Sequence, residues 1–231
     1  MVNRNRESTL TAAPKPRGYI SLAQTFFKEC CTSRPSGYPL QLSFPDGARW
    51  FRENRFWGRL PPEEFPDQPW LNYDLVRWME ARKLRRILEW GSGASTLWLA
   101  KMCRELLSVE HDPDWHGRVL AQLRSTNLSV DLRLCIQKQD YVQTAVADLM
   151  ATPPDLVLVD GIWREECLQA VTGWLDTGTT ILLHDSHAEQ YQEILQGLSK
   201  EVVRKNHFGP CHGMKNFRGW SLLEKAPGSS R

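Results

Sequence analysis

Residues 86–110, RILEWGSGASTLWLAKMCRELLSVE, decide the fold. Arg86 to Trp90 is a short, nearly continuous apolar run, as expected of a strand buried on both faces. The turn that follows, Gly91-Ser92-Gly93-Ala94-Ser95, has glycines where the backbone must bend tightly and approach a ligand without a Cβ in the way. A helix from about Leu97 and a second strand, Leu106 to Glu110, complete a β-α-β unit, whose strands run parallel.

The alternation continues along the chain. Trp115–Arg124 reads as a helix, 130–136 as a strand, Tyr141–Met150 as a helix and Leu156–Asp160 (LVLVD) as a strongly apolar strand. Helix 164–175, strand 179–184 (TTILLH) and helix 189–199 follow. Two last strands, 202–206 and 220–224, have no helix between them. Ahead of the unit, Leu75, Trp78 and Met79 give residues 72–82 one apolar helical face. The pattern predicts a doubly wound, mostly parallel seven-stranded sheet with an antiparallel last strand.

Residues 70–231 therefore form one α/β domain, preceded by an extension over residues 1–69. In that extension, residues 1 to about 45 read as a loose lead-in whose one amphipathic piece is Tyr19–Cys31. Residues 50–70 hold three Trp, three Phe and four Pro without periodicity. They read as an aromatic flap that either staples the domain or lines a substrate entrance.

The chain's 231 residues carry a net charge of +2, split unevenly. Residues 1–60 hold ten Lys/Arg against four Asp/Glu, so the extension is basic and the remainder mildly acidic. Either the extension is a solvated tail or it meets an anionic partner. No apolar run is long enough to span a bilayer, and no export signal heads the chain, so a cytoplasmic location is expected. None of the six cysteines forms a C-x-x-C pair, and His207, Cys211 and His212 lack a fourth partner for a metal.

In a doubly wound sheet the ligand sits beyond the carboxyl ends of the strands. Glu110 ends the second strand nineteen residues after Gly91, where a carboxylate accepts the hydroxyls of a ribose. Glycine turn and carboxylate together indicate an adenosyl ligand. A dinucleotide turn wants a third glycine where Thr96 stands, and Glu89 would repel a pyrophosphate while suiting a cationic amino group.

EWGSGAST followed by VEHD resembles motif I and the acidic loop of class I S-adenosylmethionine-dependent methyltransferases, which have a Rossmann-like fold. The resemblance covers about residues 70–224, and Ser95 departs from it at the third glycine of the motif. It implies S-adenosyl-L-methionine as cofactor, with Glu89, Gly91 and Gly93 at the methionine end, beside Ser95 and Thr96 of the same turn. It further implies Glu110 at the ribose, His111 at the adenine edge, and Asp140 and Tyr141 flanking the adenine. For Asp140, a helix N-cap is an alternative role.

The fourth and fifth strands end in Asp160-Gly161 and His184-Asp185-Ser186-His187, which places Asp160, His184 and Asp185 at a common catalytic mouth. VDG and HD resemble the strand ends of small-molecule and sugar O-methyltransferases. Several of those bind Mg²⁺, which implies Asp160 and Asp185 as metal ligands, although Ser186 stands where the metal-dependent pattern has Asp or Asn. Without a metal, His184 or His187 becomes the candidate base. Arg164 reads either as a bidentate contact to an anionic substrate or as a helix-surface charge.

O-methylation of a small molecule or glycan is the leading expectation. Methylation of an RNA or protein docked by the basic extension, and a cofactor-binding module without turnover, remain alternatives. A homodimer is compatible with all three.

Overall fold

Four of the strands are buried on both faces. In the computed structural model, which describes residues 18–31, 33–55 and 65–227, these are β1 (Arg86–Trp90), β2 (Glu105–Glu110), β4 (Leu156–Val159) and β5 (Thr180–His184). β3 (Asp131–Leu134), β6 (Val202–Gly209) and β7 (Arg218–Lys225) complete a seven-stranded sheet in the order β3-β2-β1-β4-β5-β7-β6. β7 pairs antiparallel with both β5 and β6, and every other pairing is parallel. This is the Rossmann-like doubly wound sheet expected from the alternation. Its order reverses between β1 and β4, so a crevice opens at their carboxyl ends.

The helices are α1 (Tyr19–Cys31), α2 (Phe44–Arg55), α3 (Tyr73–Glu80), α4 (Ala94–Leu99), α5 (Pro113–Thr126), α6 (Lys138–Leu149), α7 (Arg164–Val171) and α8 (Gln192–Gln196). One face of the sheet, with Leu88, Trp90, Val157, Val159, Ile181 and Leu183, packs against α6 and α7. The other, with Ile87, Leu106, Leu156, Leu158 and Leu182, packs against Leu75 and Met79 of α3 and Leu99 of α4. α5 starts with Asp112 accepting from the backbone N–H groups of Asp114 and Trp115, with Pro113 in its first turn. It stops at Asn127, which adopts a left-handed conformation at φ 55°.

In the lead-in, Tyr19–Cys31 forms the one short helix that its amphipathic pattern predicts, and the departure lies around it. Residues 18–31 and 33–55 are not loose: α1, α2 and the segment between them bury Leu22, Tyr38 and Trp50 in a cluster shared with Tyr73, Phe208 and Phe217. α2 escapes a periodicity reading because its buried positions are Asp46, Trp50 and Asn54, two of them polar, and because Pro45 and Gly47 stand in its first turn. Both polar residues reach distant partners, although Asn54 Oδ1 accepts no bond. Asp46 takes a two-pronged bond from Arg77 at 2.6 and 2.9 Å, and the Asn54 amide donates to the Trp50 and Met214 carbonyls. Pro39 to Gln41 runs along β6, Gln41 N–H donating to Phe208 O at 2.7 Å, and so covers part of a sheet edge. The rest of the aromatic stretch, residues 56–64, lies outside the described residues, as does the basic segment 1–17.

Glu53 joins α2 to the loop between β6 and β7. It accepts from Tyr73 Oη at 2.8 Å, from Arg49 Nε at 2.8 Å and from the Gly213 N–H at 3.3 Å, and lies 3.3 Å from His212 Nδ1. Burial pushes its carboxyl up, but the bonds from His212 and Arg49 outweigh that and hold it at about 2. A depressed carboxylate adds stability above its unfolded pKa of 4.5 and loses it as the pH falls toward 2. Glu53→Gln is therefore expected to cost about 2 kcal/mol at pH 7. In thermal melts its gap to wild type should close between pH 4.5 and 2; a gap of constant size there refutes the account.

Among the described residues, no helix is long and apolar enough to cross a membrane.

Candidate active site

β1 ends at the glycine turn, and α4 begins at Ala94, directly after Gly93 and earlier than the sequence pattern suggested. Gly91 has φ +97°, which favours glycine, and a Cβ on it would lie 2.6 Å from the backbone of Gly161. The loops after β1 and β4 therefore touch at two glycines. Over this contact lies a cavity of about 380 Å³, lined by residues 91–95, Glu110–Asp112, Trp115, Asp160–Ile162 and Trp70. A larger depression of about 550 Å³ beside α8 lies away from the strand ends, and its charged Asp176 and Lys225 pair with each other at 2.9 Å. The smaller cavity is the candidate site.

Of the residues expected at a cofactor, Gly91, Gly93, Ser95, Glu110 and His111 line this cavity. Glu89 and Thr96 sit beneath it, both fully buried. Thr96 Oγ1 accepts from the Gly93 N–H at 2.8 Å and donates to Glu89 Oε2 at 2.6 Å, while Ser108 Oγ donates to the same oxygen at 2.7 Å. Glu89 Oε1 has no protein partner. Burial pushes the Glu89 carboxyl up to about 7, against the hydroxyls of Ser95, Thr96 and Ser108. A buried carboxylate with one free oxygen suits a cationic ligand group.

Glu110 is more occupied than the sequence suggests. Its Oε2 accepts from the Ser92 N–H at 3.1 Å and Ser92 Oγ at 2.9 Å; its Oε1 accepts from the N–H groups of His111 and Asp112 at 2.7 and 2.9 Å. His111 Nδ1 lies 2.9 Å from Oε1 as well. The backbone donors fix the carboxylate, and Ser92 Oγ is the donor a ligand hydroxyl can displace.

Two of the residues expected at the cofactor, Asp140 and Tyr141, do not line this cavity. Asp140 is exposed in the first turn of α6, whose N-cap is Gln137. Tyr141 is fully buried, packing its ring on Trp163 with its hydroxyl against Gly161, so it supports the cavity from below. Trp70 and Trp115 were not singled out as cofactor residues. The Trp115 indole donates to Ser92 O at 2.7 Å, and Phe65 and Trp70 pack over it with ring centroids 5.1 and 6.3 Å away. The described end of the aromatic stretch thus both staples the domain and walls the cavity.

Asp160, His184 and Asp185 do come together, their ligand atoms within 4.8 Å of one another. Only Asp160 lines the cavity. His184 is 3% exposed, with Nδ1 2.9 Å from Asp160 Oδ1 and Nε2 3.1 Å from Asn72 Oδ1. The Asn72 amide nitrogen donates to the Gly209 and Arg218 carbonyls, which fixes Oδ1 toward the ring as an acceptor. His184 therefore donates on both sides. Burial alone would lower its pKa, but the Asp160 charge and hydrogen bond raise it. Both ring nitrogens are thus engaged by protein partners, one of them Asp160. His187 faces away, accepting from the Gly219 N–H at 3.0 Å. Asp185 has φ +56°, and its pKa is lowered because His184 and Arg164 outweigh its burial.

Arg164 is neither a surface charge nor free for substrate. At 12% exposure it donates to the carbonyls of Gly161, His184 and Asp160 at 2.8, 2.6 and 2.9 Å, and pairs with Asp160 Oδ1 at 3.1 Å and Asp185 Oδ2 at 3.3 Å. Arg218 Nη1 lies 3.4 Å from Asp185 Oδ1. A divalent cation between the two carboxylates would meet this guanidinium, so the donor set does not fit Mg²⁺.

Residues 88–186 match the family model of a methyltransferase domain. The O-methyltransferase TomG from Streptomyces achromogenes, solved in complex with SAM, superposes with a TM-score of 0.52 at 17% identity over 91% of this chain and 92% of its own. A putative caffeoyl-CoA O-methyltransferase from Staphylococcus aureus gives 0.52 at 11% identity over 66% and 82%. An rRNA methylase from Streptococcus thermophilus gives 0.49 at 16% over 66% and 95%. No curated protein matches the sequence. The domain match and the sheet order agree: residues 88–186 are similar to a methyltransferase domain, and the sheet that carries them has the Rossmann-like order. At these identities the structural likeness speaks for the fold and leaves the acceptor open.

Proposed function

We propose that the chain methylates a hydroxyl oxygen of a small-molecule acceptor, with Asp160 as the general base. The observation that carries this reading is the position of Asp160: it is the one member of the Asp160–His184–Asp185 cluster that reaches the cavity, and Arg164 and His184 hold its carboxylate in place.

S-adenosylmethionine, when bound, supplies a methyl group on a sulfonium, and transfer to oxygen is an in-line displacement that releases the acceptor proton. The chain's residues divide that work. Glu89, Gly91, Gly93 and Ser95 hold the methionine end, Glu110 holds the ribose and His111 the adenine edge. Asp160 takes the hydroxyl proton as the oxygen attacks. Trp70 and Trp115 exclude water.

The cofactor assignment is tested by calorimetric titration with S-adenosylhomocysteine. Glu110→Ala removes two charge-assisted ribose bonds worth about 1.5 kcal/mol each, so binding should weaken roughly 100-fold. Ser92→Ala removes only the internal donor that competes with the ribose and should bind as well as wild type or better. Equal affinity in wild type and Glu110→Ala refutes the ribose assignment. For the acceptor, release of S-adenosylhomocysteine is followed across a panel of hydroxylated small molecules and, in parallel, with RNA. Turnover on RNA alone overturns the small-molecule reading.

A further inference from the structure

We infer that the Arg164 guanidinium stands where a divalent cation would bridge Asp160 and Asp185, so that this methyl-transfer site is built to hold its carboxylates without a metal. The inference concerns the Asp160 site proposed above, but its test does not depend on turnover.

An arginine has five N–H donors in a rigid fork. Here four of them have acceptors. Nε goes to Gly161 O, one terminal nitrogen to His184 O and Asp185 Oδ2, and the other to Asp160 O, with Asp160 Oδ1 3.1 Å from that last nitrogen as an ion pair. The side chain springs from the first residue of α7 and crosses from the β4 loop to the β5 loop. It therefore joins the two strand ends that carry the carboxylates, the geometric task a bridging ion would perform.

The charge count points the same way. Two carboxylates face two guanidiniums, Arg164 and Arg218, and His184, donating from both ring nitrogens, adds a third positive charge. Mg²⁺ would need oxygens at about 2.1 Å and several retained waters. Room for it would require moving a 12%-exposed guanidinium off four acceptors and an ion pair, and three backbone carbonyls would lose their donor. The surroundings are thus already neutralised, and a further +2 would be repelled by the arginines.

The test is Mn²⁺ binding to the full chain, read by electron paramagnetic resonance, with no acceptor present. Wild type and Asp160→Asn should behave alike and take up no stoichiometric Mn²⁺ at micromolar to millimolar concentration. Arg164→Ala should uncover a site, raising Mn²⁺ affinity about tenfold or more, and the double variant Arg164→Ala/Asp160→Asn should lose it again. Arg164→Met, which keeps the packed stem, replaces Arg164→Ala if melting shows that variant unfolded. One Mn²⁺ per wild-type chain, lost in Asp160→Asn, overturns the inference. So does a folded Arg164 variant with no gain in Mn²⁺ uptake. Absence of O-methyl transfer on every hydroxylated acceptor would refute the proposed reaction and leave the Mn²⁺ result standing.

Discussion

Asp160→Asn is expected to lower the rate of methyl transfer by about 10²–10⁴, the usual contribution of a positioned general base, while leaving S-adenosylhomocysteine affinity nearly unchanged. Asparagine keeps the size of the side chain and an oxygen for the His184 Nδ1–H, so the cavity wall persists. It removes the charge that accepts the acceptor's proton. It also leaves Arg164 and His184 facing a neutral amide in a site where His184 is 3% exposed, so a fall in melting temperature accompanies the loss of rate. The two effects separate by temperature: well below the melting transition the loss of rate should persist while S-adenosylhomocysteine affinity is kept. An Asp160→Asn enzyme with the wild-type rate would remove Asp160 from the chemistry. Asn72→Leu provides the contrast: by freeing His184 Nε2 it loosens Asp160 indirectly, so it should lower the rate less.

What the sequence made legible is what is local or periodic. The central strands carry apolar side chains on both faces, so β1, β4 and β5 read directly from composition. The glycine turn and Glu110 belong to one β-α-β unit, so their spacing alone placed them at one cavity. α2 was hidden because it buries carboxylate and amide groups whose partners, Arg77 and the Met214 carbonyl, lie far along the chain. The same holds for the catalytic end. Asp160, His184 and Asp185 were legible as strand-end residues, but their division of labour was not. It depends on Asn72, 112 positions before His184, and on the side chain of Arg164 turning inward from a helix start that looked like a surface position. The burial of Tyr141 was hidden for a related reason. A residue at the start of a helix can face a cavity or pack beneath it, and here its hydroxyl lies against Gly161.

That packing carries the largest stability effect expected of any single methyl group added here. Gly91→Ala should lower stability by about 3 kcal/mol or more, a fall in melting temperature of roughly 10 °C for a chain of this size. Alanine is strained at φ +97°, and its Cβ would stand 2.6 Å from Gly161 N and Cα, backbone atoms that cannot rotate away. Gly161→Ala should be comparably severe for a partly different reason: its Cβ would lie 2.0 Å from the Tyr141 hydroxyl, 2.9 Å from Gly91 N and 3.0 Å from Gly91 Cα. Tyr141→Phe removes the first of these contacts only. The double variant Gly161→Ala/Tyr141→Phe should therefore recover part of the loss, whereas Gly91→Ala/Tyr141→Phe should recover none. A wild-type melting temperature for Gly161→Ala, or full recovery in its double variant, would mean that the two loops do not touch as described. Partial recovery confined to the Gly161 series would locate the contact at the β1–β4 switch point. There the turn that lines the cavity and the strand end that presents Asp160 are held against each other by the absence of two side chains.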